Sequence, residues 1–397
     1  MTFLIKKKNI IFKEISKNSI KVLYRLNKLG YKAYLVGGSI RDILLKNIPK
    51  DFDISTDATP HELRKIFKNC RLIGRRFIIV HLIFPKEIIE VSTFRTHPNI
   101  KKKKKYNSQK KHTNGMLLQD NKYGKIEEDV YRRDITINAL YYNIKDFCIY
   151  DYVGGLNDIK KKIIRLIGHA ETRYREDPVI MLRVIRFSAH LNMNITKKTS
   201  EPLERLSHLL KNVPVPRLFN ESIKLFCSGY GYQTYKKLKK YSLIQHLLPI
   251  IFLNVRKKYQ KFSKKIRKEA FKRNDYKILY NSQYNPSFLF SALLWYLLVD
   301  TIQKNIEKKK ISYDQAYYFS VKKILKKSSA LLGIPKNLLI YISKIWSYQK
   351  DIENLYFIKK KNIIFFYALE LFNLRIIIEK NSNLKKILQQ WKIKNKS

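Results

Sequence analysis

Acidic residues are scarce in this chain. Against 82 Lys and Arg there are 31 Asp and Glu, a formal net charge of +51. An excess of that size repels itself unless a polyanion or counterions offset it, so nucleic acid is the first partner class to consider. A biased genomic base composition, which enriches Lys, Ile, Asn and Tyr together, is the second source of the same excess. Cysteine is scarcer still: Cys70, Cys148 and Cys227 lie far apart. That spacing excludes a Cys-x-x-Cys zinc site and a disulfide framework, and the three are expected as buried small apolar groups in a reducing compartment. Long apolar runs are missing too. The longest, 288–299, falls short of a membrane span and is interrupted by Ser291, so it reads as a buried helix. Met1-Thr2-Phe3-Leu4-Ile5 passes straight into lysines without an h-region or small-residue cleavage site, so no secretory signal is expected and the cytoplasm is the expected location.

With 397 residues, 45% of them hydrophobic, the chain can build two or three domains with sizeable cores. Up to about Gly168 it alternates strand-like runs at 33–36, 52–54, 77–84, 88–94 and 147–150 with helical ones, which predicts an α/β head. Inside it, Lys101 to Lys105 and the polar residues to Lys111 lack apolar periodicity and predict a basic loop, either simply solvated or in contact with RNA. From Glu171 onward apolar residues recur at helical spacing, as in Leu203, Leu206, Leu209 and Leu210, and prolines cut the remainder into segments of ordinary helix length. A second basic stretch, 256–273, carries Tyr259, Phe262 and Phe271 among its lysines. Two readings are open there: aromatics stacking bases along a polyanion, or an amphipathic helix with those aromatics in a core.

The chemistry concentrates near the N-terminus. Tyr34-Leu35-Val36 is β-prone, Gly37-Gly38 lets the backbone turn and approach a ligand, and Ser39 is a suitable N-cap for a helix through Arg41, Asp42, Leu44 and Leu45. Free amides at such a helix start favour phosphate. Shortly after come Asp51 and Asp53. Side chains two apart on a strand point the same way, so both carboxylates can converge on hard cations such as Mg²⁺, while Phe52 faces a core. Each element alone has a bland reading, a turn and a solvated strand; their pairing and order favour a site that holds a triphosphate and metal ions.

Further candidates follow. On the run from Ile88 to Arg95, Glu90 and Ser92 share one face while Arg95 lies on the other; Glu90 is a second-tier candidate to support metals and Arg95 to meet phosphate, against edge-strand charges. The run from Glu127 to Leu140 predicts a helix with acids crowded in its first turn and with Asp134 and Asn138 at i and i+4 beside Arg133, against a plain surface helix. Asp177-Pro178 leads into a helix carrying Arg183 and Arg186 at i and i+3. A simple cap explains Asp177, but two guanidinium groups beside an apolar stretch need an anionic partner.

With these residues assembled, the chain resembles the class II nucleotidyltransferases, the poly(A) polymerase family that also holds the tRNA CCA-adding enzymes. The segment Gly37 to Asp42, Asp51 and Asp53, Arg133-Asp134, the turn Tyr152-Val153-Gly154-Gly155 and Glu176-Asp177 occur in that family's order. The run Leu72-Ile73-Gly74-Arg75-Arg76-Phe77-Ile78-Ile79-Val80-His81 resembles the signature of the poly(A) polymerase branch, and similarity continues through Asn114-Gly115-Met116, Arg217-Leu218-Phe219 and Ile334-Pro335-Lys336.

The resemblance implies an α+β protein: a nucleotidyltransferase head with a small mixed sheet over 1–168, then an all-α neck, body and leg, with nucleotide- and RNA-binding roles at 169–250 and a basic RNA-binding region at 251–397. It implies Asp51, Asp53 and Asp134 as catalytic carboxylates, with Asp51 and Asp53 on Mg²⁺ or Mn²⁺. Gly37, Gly38 and Arg41 would contact the triphosphate, and Arg133, Asn138, Asp177, Arg183 and Arg186 would complete the nucleotide pocket. The implied reaction is template-independent transfer of AMP from ATP to RNA 3′ ends, with RNA-decay proteins as a partner class. Ile180 departs from the family's Glu-Asp-x-x-Arg pattern, which puts base selectivity in question and argues mildly against CCA addition. Because the sequence stops at Ser397 without the long basic tail of some relatives, the grip on RNA is expected from the body. The rivals are a CCA-adding enzyme and an RNA-binding protein that keeps the fold without activity.

Overall fold

The computed structural model describes residues 3–6, 12–74, 78–96, 122–280, 285–356 and 362–394. The expected basic loop at 101–111, the segment 114–118 and residues 75–77 lie outside them. The chain divides into two compact units, Met1–Leu206 and Ser207–Ser397. The boundaries expected from sequence at 168 and 250 do not coincide with this division.

The first unit is built on an eight-stranded sheet in the order β1-β8-β7-β2-β3-β6-β5-β4. Its strands are β1 (Phe3–Lys6), β2 (Ala33–Val36), β3 (Asp53–Thr56), β4 (Cys70–Ile73), β5 (Ile79–Ile83), β6 (Ile88–Thr93), β7 (Leu140–Asn143) and β8 (Cys148–Asp151). Every neighbouring pair is antiparallel except β3 with β6, which run parallel. Alternation along the strands sends neighbouring residues into different cores. Leu35 and Tyr142 join a cluster with Leu23, Ile40, Ile54 and Val91, whereas Val36 and Tyr141 join Phe94, Val130 and Ala139. Each such aliphatic side chain taken fully out of water contributes about 1.5–3 kcal/mol. Phe52 packs on the first cluster, as its place between two aspartates requires.

Helices α1 (Lys17–Lys28), α2 (Gly38–Leu44) and α3 (Pro60–Ile66) start from local signals. Ser16 Oγ accepts from the Ser19 amide at 3.0 Å, and Thr59 and Glu62 form a reciprocal capping box with Pro60 at the first helical position. Next come α4 (Ile126–Arg132), α5 (Gly155–Lys160), α6 (Ala170–Glu176), α7 (Val179–His190) and α8 (Lys197–Leu206), with a short parallel pair, β9 (Ile163–Ile164) and β10 (Asn194–Ile195).

Among its described residues the second unit is helical throughout: α9 (Val215–Phe226), α10 (Gly231–Lys240), α11 (Ile244–Leu247), α12 (Lys257–Tyr280), α13 (Ser287–Lys309), α14 (Tyr313–Leu332), α15 (Lys336–Glu353), α16 (Ile363–Glu379) and α17 (Ser382–Lys394). The run expected as a buried helix is the first half of α13, buried on every side from Ser287 to Tyr296, with the Trp346 indole donating to the Ser291 carbonyl at 3.1 Å. No helix among the described residues is long and apolar enough to cross a membrane.

One open alternative is settled here and one expectation is corrected. In α12 the aromatics face inward: Phe271 is fully buried against Phe226 and Tyr235, while Tyr259 and Phe262 stack on Tyr296. The core reading of that stretch therefore holds, and its lysines occupy the outer face. The three cysteines are half-buried rather than buried. Cys70 and Cys148 open β4 and β8, where Cys70 touches the core only at its margin.

Candidate active site

The site grows from the register of three strands. Antiparallel pairing sets Val36 opposite Asp53, and parallel pairing sets Asp53 beside Glu90 and Ser55 beside Ser92. On the far side of β6, His81 pairs with Glu90. Asp53, Glu90 and His81 thus form one row across three adjacent strands, with His81 Nε2 3.2 Å from Glu90 Oε1. Gly37 leaves β2 at φ +78 and ψ −127, a conformation open in practice only to glycine, and caps α2 with no side-chain hydrogen bond to the first amides. The Gly37-Gly38 turn therefore follows directly on the residue paired with Asp53.

Here the sequence reading needs two adjustments. Ser39 is not the cap: the cap is Gly37, two residues earlier, and Ser39 Oγ donates back to the Val36 carbonyl at 3.4 Å. Asp51 is not on a strand with Asp53. Pairing of β3 begins at Asp53, because β2 turns away at Gly37, so Asp51 sits exposed on the preceding loop. Its charge still reaches Asp53. Burial first, then Glu90 and, less strongly, Asp51 push the Asp53 carboxyl up to about 6 against the pull of the Arg133 guanidinium.

Asp53, Glu90 and Asp134 face a cleft of about 350 Å³ that also takes Arg95, Arg132, Arg133 and Arg183 into its wall. Arg95 and Glu90, second-tier candidates on sequence, are thus both brought to the cleft. Arg132 was not singled out from the sequence, and His81 stood there only as the last residue of the run from Leu72.

The predicted helix from Glu127 to Leu140 is shorter than expected. Its acidic first turn is present in α4, but the helix stops at Arg132 and Arg133 is extended. Non-local pairing overrides the helix: the Asp134 carbonyl accepts from the Ile167 amide at 2.9 Å, Ile135 bridges Leu166, and a single 3-10 turn spans Thr136–Asn138. Asp134 and Asn138 consequently do not share a helix face, yet both border the cleft. The turn at Gly154-Gly155 supports them. A Cβ on Gly155 would collide with the Thr136 carbonyl oxygen, so only glycine lets the two backbones approach this closely, and the Asp151 carboxylate accepts from four successive amides, Val153 to Leu156.

Arg133 is held by the protein itself. Its guanidinium donates to Asp129 Oδ2, to the Tyr141 hydroxyl at 2.7 Å, to the Asn138 carbonyl and to Ser55 Oγ at 3.2 Å. Burial alone would raise the Asp129 carboxyl, but Arg133, Arg132 and the Tyr141 hydroxyl override it and hold that group down at about 2. Arg133 therefore ties β3, α4 and β7 together under the cleft while leaning its charge on Asp53. Arg41, 5% exposed, donates to Asp42 and to Asn138 Oδ1, over the Phe187 ring.

On α7 the residues that escape burial are Arg183, Arg186 and His190, one face of the helix, as the i, i+3 spacing requires. Arg183 reaches the cleft and pairs with Asp134 Oδ2 at 2.7 Å, while Arg186 lies over the Phe187 ring. Asp177 closes α6 and accepts from the Val179 amide at 3.2 Å at the start of α7, whose own cap is Pro178. Ile180 is 3% exposed, part of the buried side of the same helix.

Among the described residues no group of three or more His, Cys, Asp or Glu side chains forms a ready-made metal cage. Mg²⁺ does not require one: it is commonly held by one or two carboxylates together with substrate phosphates and water. Asp51 and Asp53 are hard oxygen donors of that number, and a cation beside Asp53 would offset the cost of its charge, which burial sets first and Glu90 and Asp51 add to. The residues fit a divalent metal.

Comparison with known proteins agrees with this geometry. The model of the poly A polymerase head domain matches residues 33–165, and that of a probable RNA and SrmB-binding site of polymerase A matches 192–253. The chain is 45% identical over 383 residues to poly(A) polymerase I of Salmonella typhimurium, covering 96% of this chain and 82% of the relative. It is 40% identical over 338 residues to that of Haemophilus influenzae, covering 85% and 74%. A solved structure of the Thermotoga maritima CCA-adding enzyme complexed with tRNA superposes with a TM-score of 0.63 at 16% identity, over 100% of this chain and 87% of that one, a likeness of fold. Matched by both domain models and aligned over nearly its whole length with poly(A) polymerase I, the chain belongs to the poly(A) polymerase family of nucleotidyltransferases.

Proposed function

We infer that this protein is a polynucleotide adenylyltransferase that extends RNA 3′ ends without a template, transferring AMP from ATP and releasing pyrophosphate. The observation that carries the reading is the Asp53–Glu90 row beside the Gly37-Gly38 turn, in a chain of this family. The RNA 3′-oxygen bonds to the α-phosphorus as the bond from that phosphorus to the bridging oxygen breaks, and the hydroxyl proton passes to solvent.

In this reading Asp51 and Asp53 hold the divalent metal, Mg²⁺ with Mn²⁺ as a substitute. When bound, such ions favour ionisation of the hydroxyl and neutralise charge on the transferring phosphate. Gly37 and Gly38 admit the triphosphate close to the backbone. Arg183, 41% exposed, and Arg95 offer it positive charge from the cleft wall, while Asp134 orients Arg183 through their ion pair. Arg41 and Arg133 act by holding Asn138 and β3 in place; Asp177 and Arg186 complete the nucleotide pocket from α7. The head at 1–168 supplies the chemistry. The regions at 169–250 and 251–397 supply nucleotide and RNA contacts, chiefly through phosphates and therefore with strong salt dependence. Cytoplasmic action, with RNA-decay proteins as partners, suits such a product.

A 3′-extension assay with each nucleoside triphosphate supplied separately, run beside Asp53→Ala, tests the proposal. Extension with ATP alone that disappears in the variant is the expected result. Incorporation limited to C, C and A on a tRNA lacking its terminus would instead establish the CCA-adding rival, and RNA binding without turnover in Mg²⁺ or Mn²⁺ the inactive one.

A further inference from the structure

A second charged cleft lies wholly within the helical unit. It holds about 480 Å³ between α13 and α14, and its wall carries Lys304, Lys308, Lys309, Lys323 and Lys327 with no acidic side chain. Two of these have engagements. Lys304 pairs with Asp300 at 2.6 Å, and the Lys309 ammonium stands 5.6 Å from the centroid of the Phe319 ring. Among the described residues no carboxylate pairs with Lys308, Lys323 or Lys327. The neighbouring acids are engaged elsewhere: Arg256 takes both Asp300 and Glu307, and Asp314 binds Lys350. Beyond Asp314, α14 runs to Leu332 with four lysines and no acid.

Lys323 and Lys327 stand four apart on one helix, where like charges repel. An anion between α13 and α14 would relieve that repulsion. Phe319, Lys323 and Lys327 follow one another along a single row of α14, roughly 12 Å long at 1.5 Å per residue. At the head of the row two aromatic rings are open to solvent, Phe319 at 49% and Tyr318 at 62% exposure, packed edge to face at 5.9 Å. Ammonium groups along a groove with exposed rings at its end are what a single-stranded polynucleotide uses: phosphates meet charge, and a base stacks on an aromatic face. An acidic peptide gains nothing from the rings, and a membrane is flat whereas these lysines line a recess.

We propose that the α13–α14 cleft binds single-stranded RNA at nucleotides away from the reacting 3′ end, with phosphates on Lys308, Lys323 and Lys327 and a base on Phe319. The surface lies outside 192–253, where the RNA-binding family model matches. The inference rests on the reading of RNA as substrate, not on which nucleotide is added.

The test measures binding of a fluorescent oligoadenylate of roughly 20 nucleotides to the full chain at several salt concentrations. Lys323→Gln/Lys327→Gln should weaken binding and make the slope of log affinity against log salt shallower by about 1.4, at about 0.7 for each single-strand phosphate no longer neutralised. Phe319→Ala should weaken binding roughly tenfold and leave the slope unchanged. Lys21→Gln/Lys28→Gln on α1 removes the same charge from the other unit and should leave the slope as in the wild type. All variants should add AMP to a primer of roughly four nucleotides at the wild-type maximal rate, which shows that they fold. An unchanged slope in the α14 pair, or an equal change in the α1 pair, overturns the proposal. So does intact RNA binding accompanied by lost binding of polyglutamate or of phosphatidylglycerol vesicles. Wild-type protein that binds RNA but adds no nucleotide would refute the enzymatic reading instead, and the slopes would still be measurable.

Discussion

His81 Nε2 lies 3.2 Å from Glu90 Oε1, and Glu90 is the parallel-strand neighbour of Asp53. Through this row the ionisation of Asp53 depends on a residue that need never touch substrate. A carboxyl raised to about 6 loses its anion as the pH falls through that value, so kcat/KM at limiting Mg²⁺ should decline below about pH 6. Glu90→Gln removes one cause of the upward push and should move that decline to lower pH. A pH–rate profile with its acid limb in the same place in wild type and variant would sink the assignment.

Asp53 carries a stability cost as well. Its folded-state value lies above the unfolded one, so the folded state binds the extra proton. Stability is therefore fully present below the unfolded value near 4 and is lost as the pH rises through about 6. Asp53→Asn should abolish activity yet unfold at higher denaturant than wild type at pH 7.5 in chelator, by up to about 2–3 kcal/mol, with the gap closing toward pH 4. Chemical denaturation at the two pH values checks both parts. A variant less stable at pH 7.5 would contradict the buried-charge account.

Asp129 behaves in the opposite sense. It is 1% exposed and anchors Arg132, Arg133 and Tyr141. Its carboxyl, held down at about 2, contributes stability that is present above about pH 4 and lost as the pH falls toward 2. Asp129→Asn leaves Arg133 buried beside a neutral amide and should cost about 3–5 kcal/mol at neutral pH. Urea unfolding measures this, and a loss below about 1 kcal/mol would show that Arg133 finds another partner.

Gly37→Ala isolates the turn. A methyl there meets only ordinary contacts, the nearest being Arg133 at 3.5 Å, so the cost is conformational. It should reach about 1–3 kcal/mol and fall more heavily on turnover than on RNA affinity, because the strained turn borders Asp53. Steady-state kinetics beside RNA binding separates the two; equal losses would point to general unfolding.

Legibility of the sequence followed the range of the interactions. Local signals were readable: the strand before Gly37, the Asp53 strand with Phe52 toward the core, the polar face of α7 and the buried first half of α13. What failed depended on distant partners. The helix expected through Asp134 gave way because Ile135 and Thr136 pair with Arg165 and Leu166, a bridge that no helical periodicity reveals. The aromatics of α12 were ambiguous until Tyr296 and Phe226 supplied their neighbours. That Asp129 and Tyr141 engage Arg133, and Asp42 and Asn138 engage Arg41, was likewise not legible, though it leaves their expected place at the nucleotide open. His81 became visible only once β5 was laid beside β6.

The lone same-direction strand pairing in the sheet has a bearing on biosynthesis. Because β6 follows α3, β4 and β5 in the chain before it docks alongside β3, a nascent chain already bearing both aspartates lacks the Glu90 neighbour of Asp53 until more than thirty further residues have emerged and closed that loop. The carboxylate row beside the phosphate-facing turn is thus a product of that ring closure and not of the local segment that carries the aspartates.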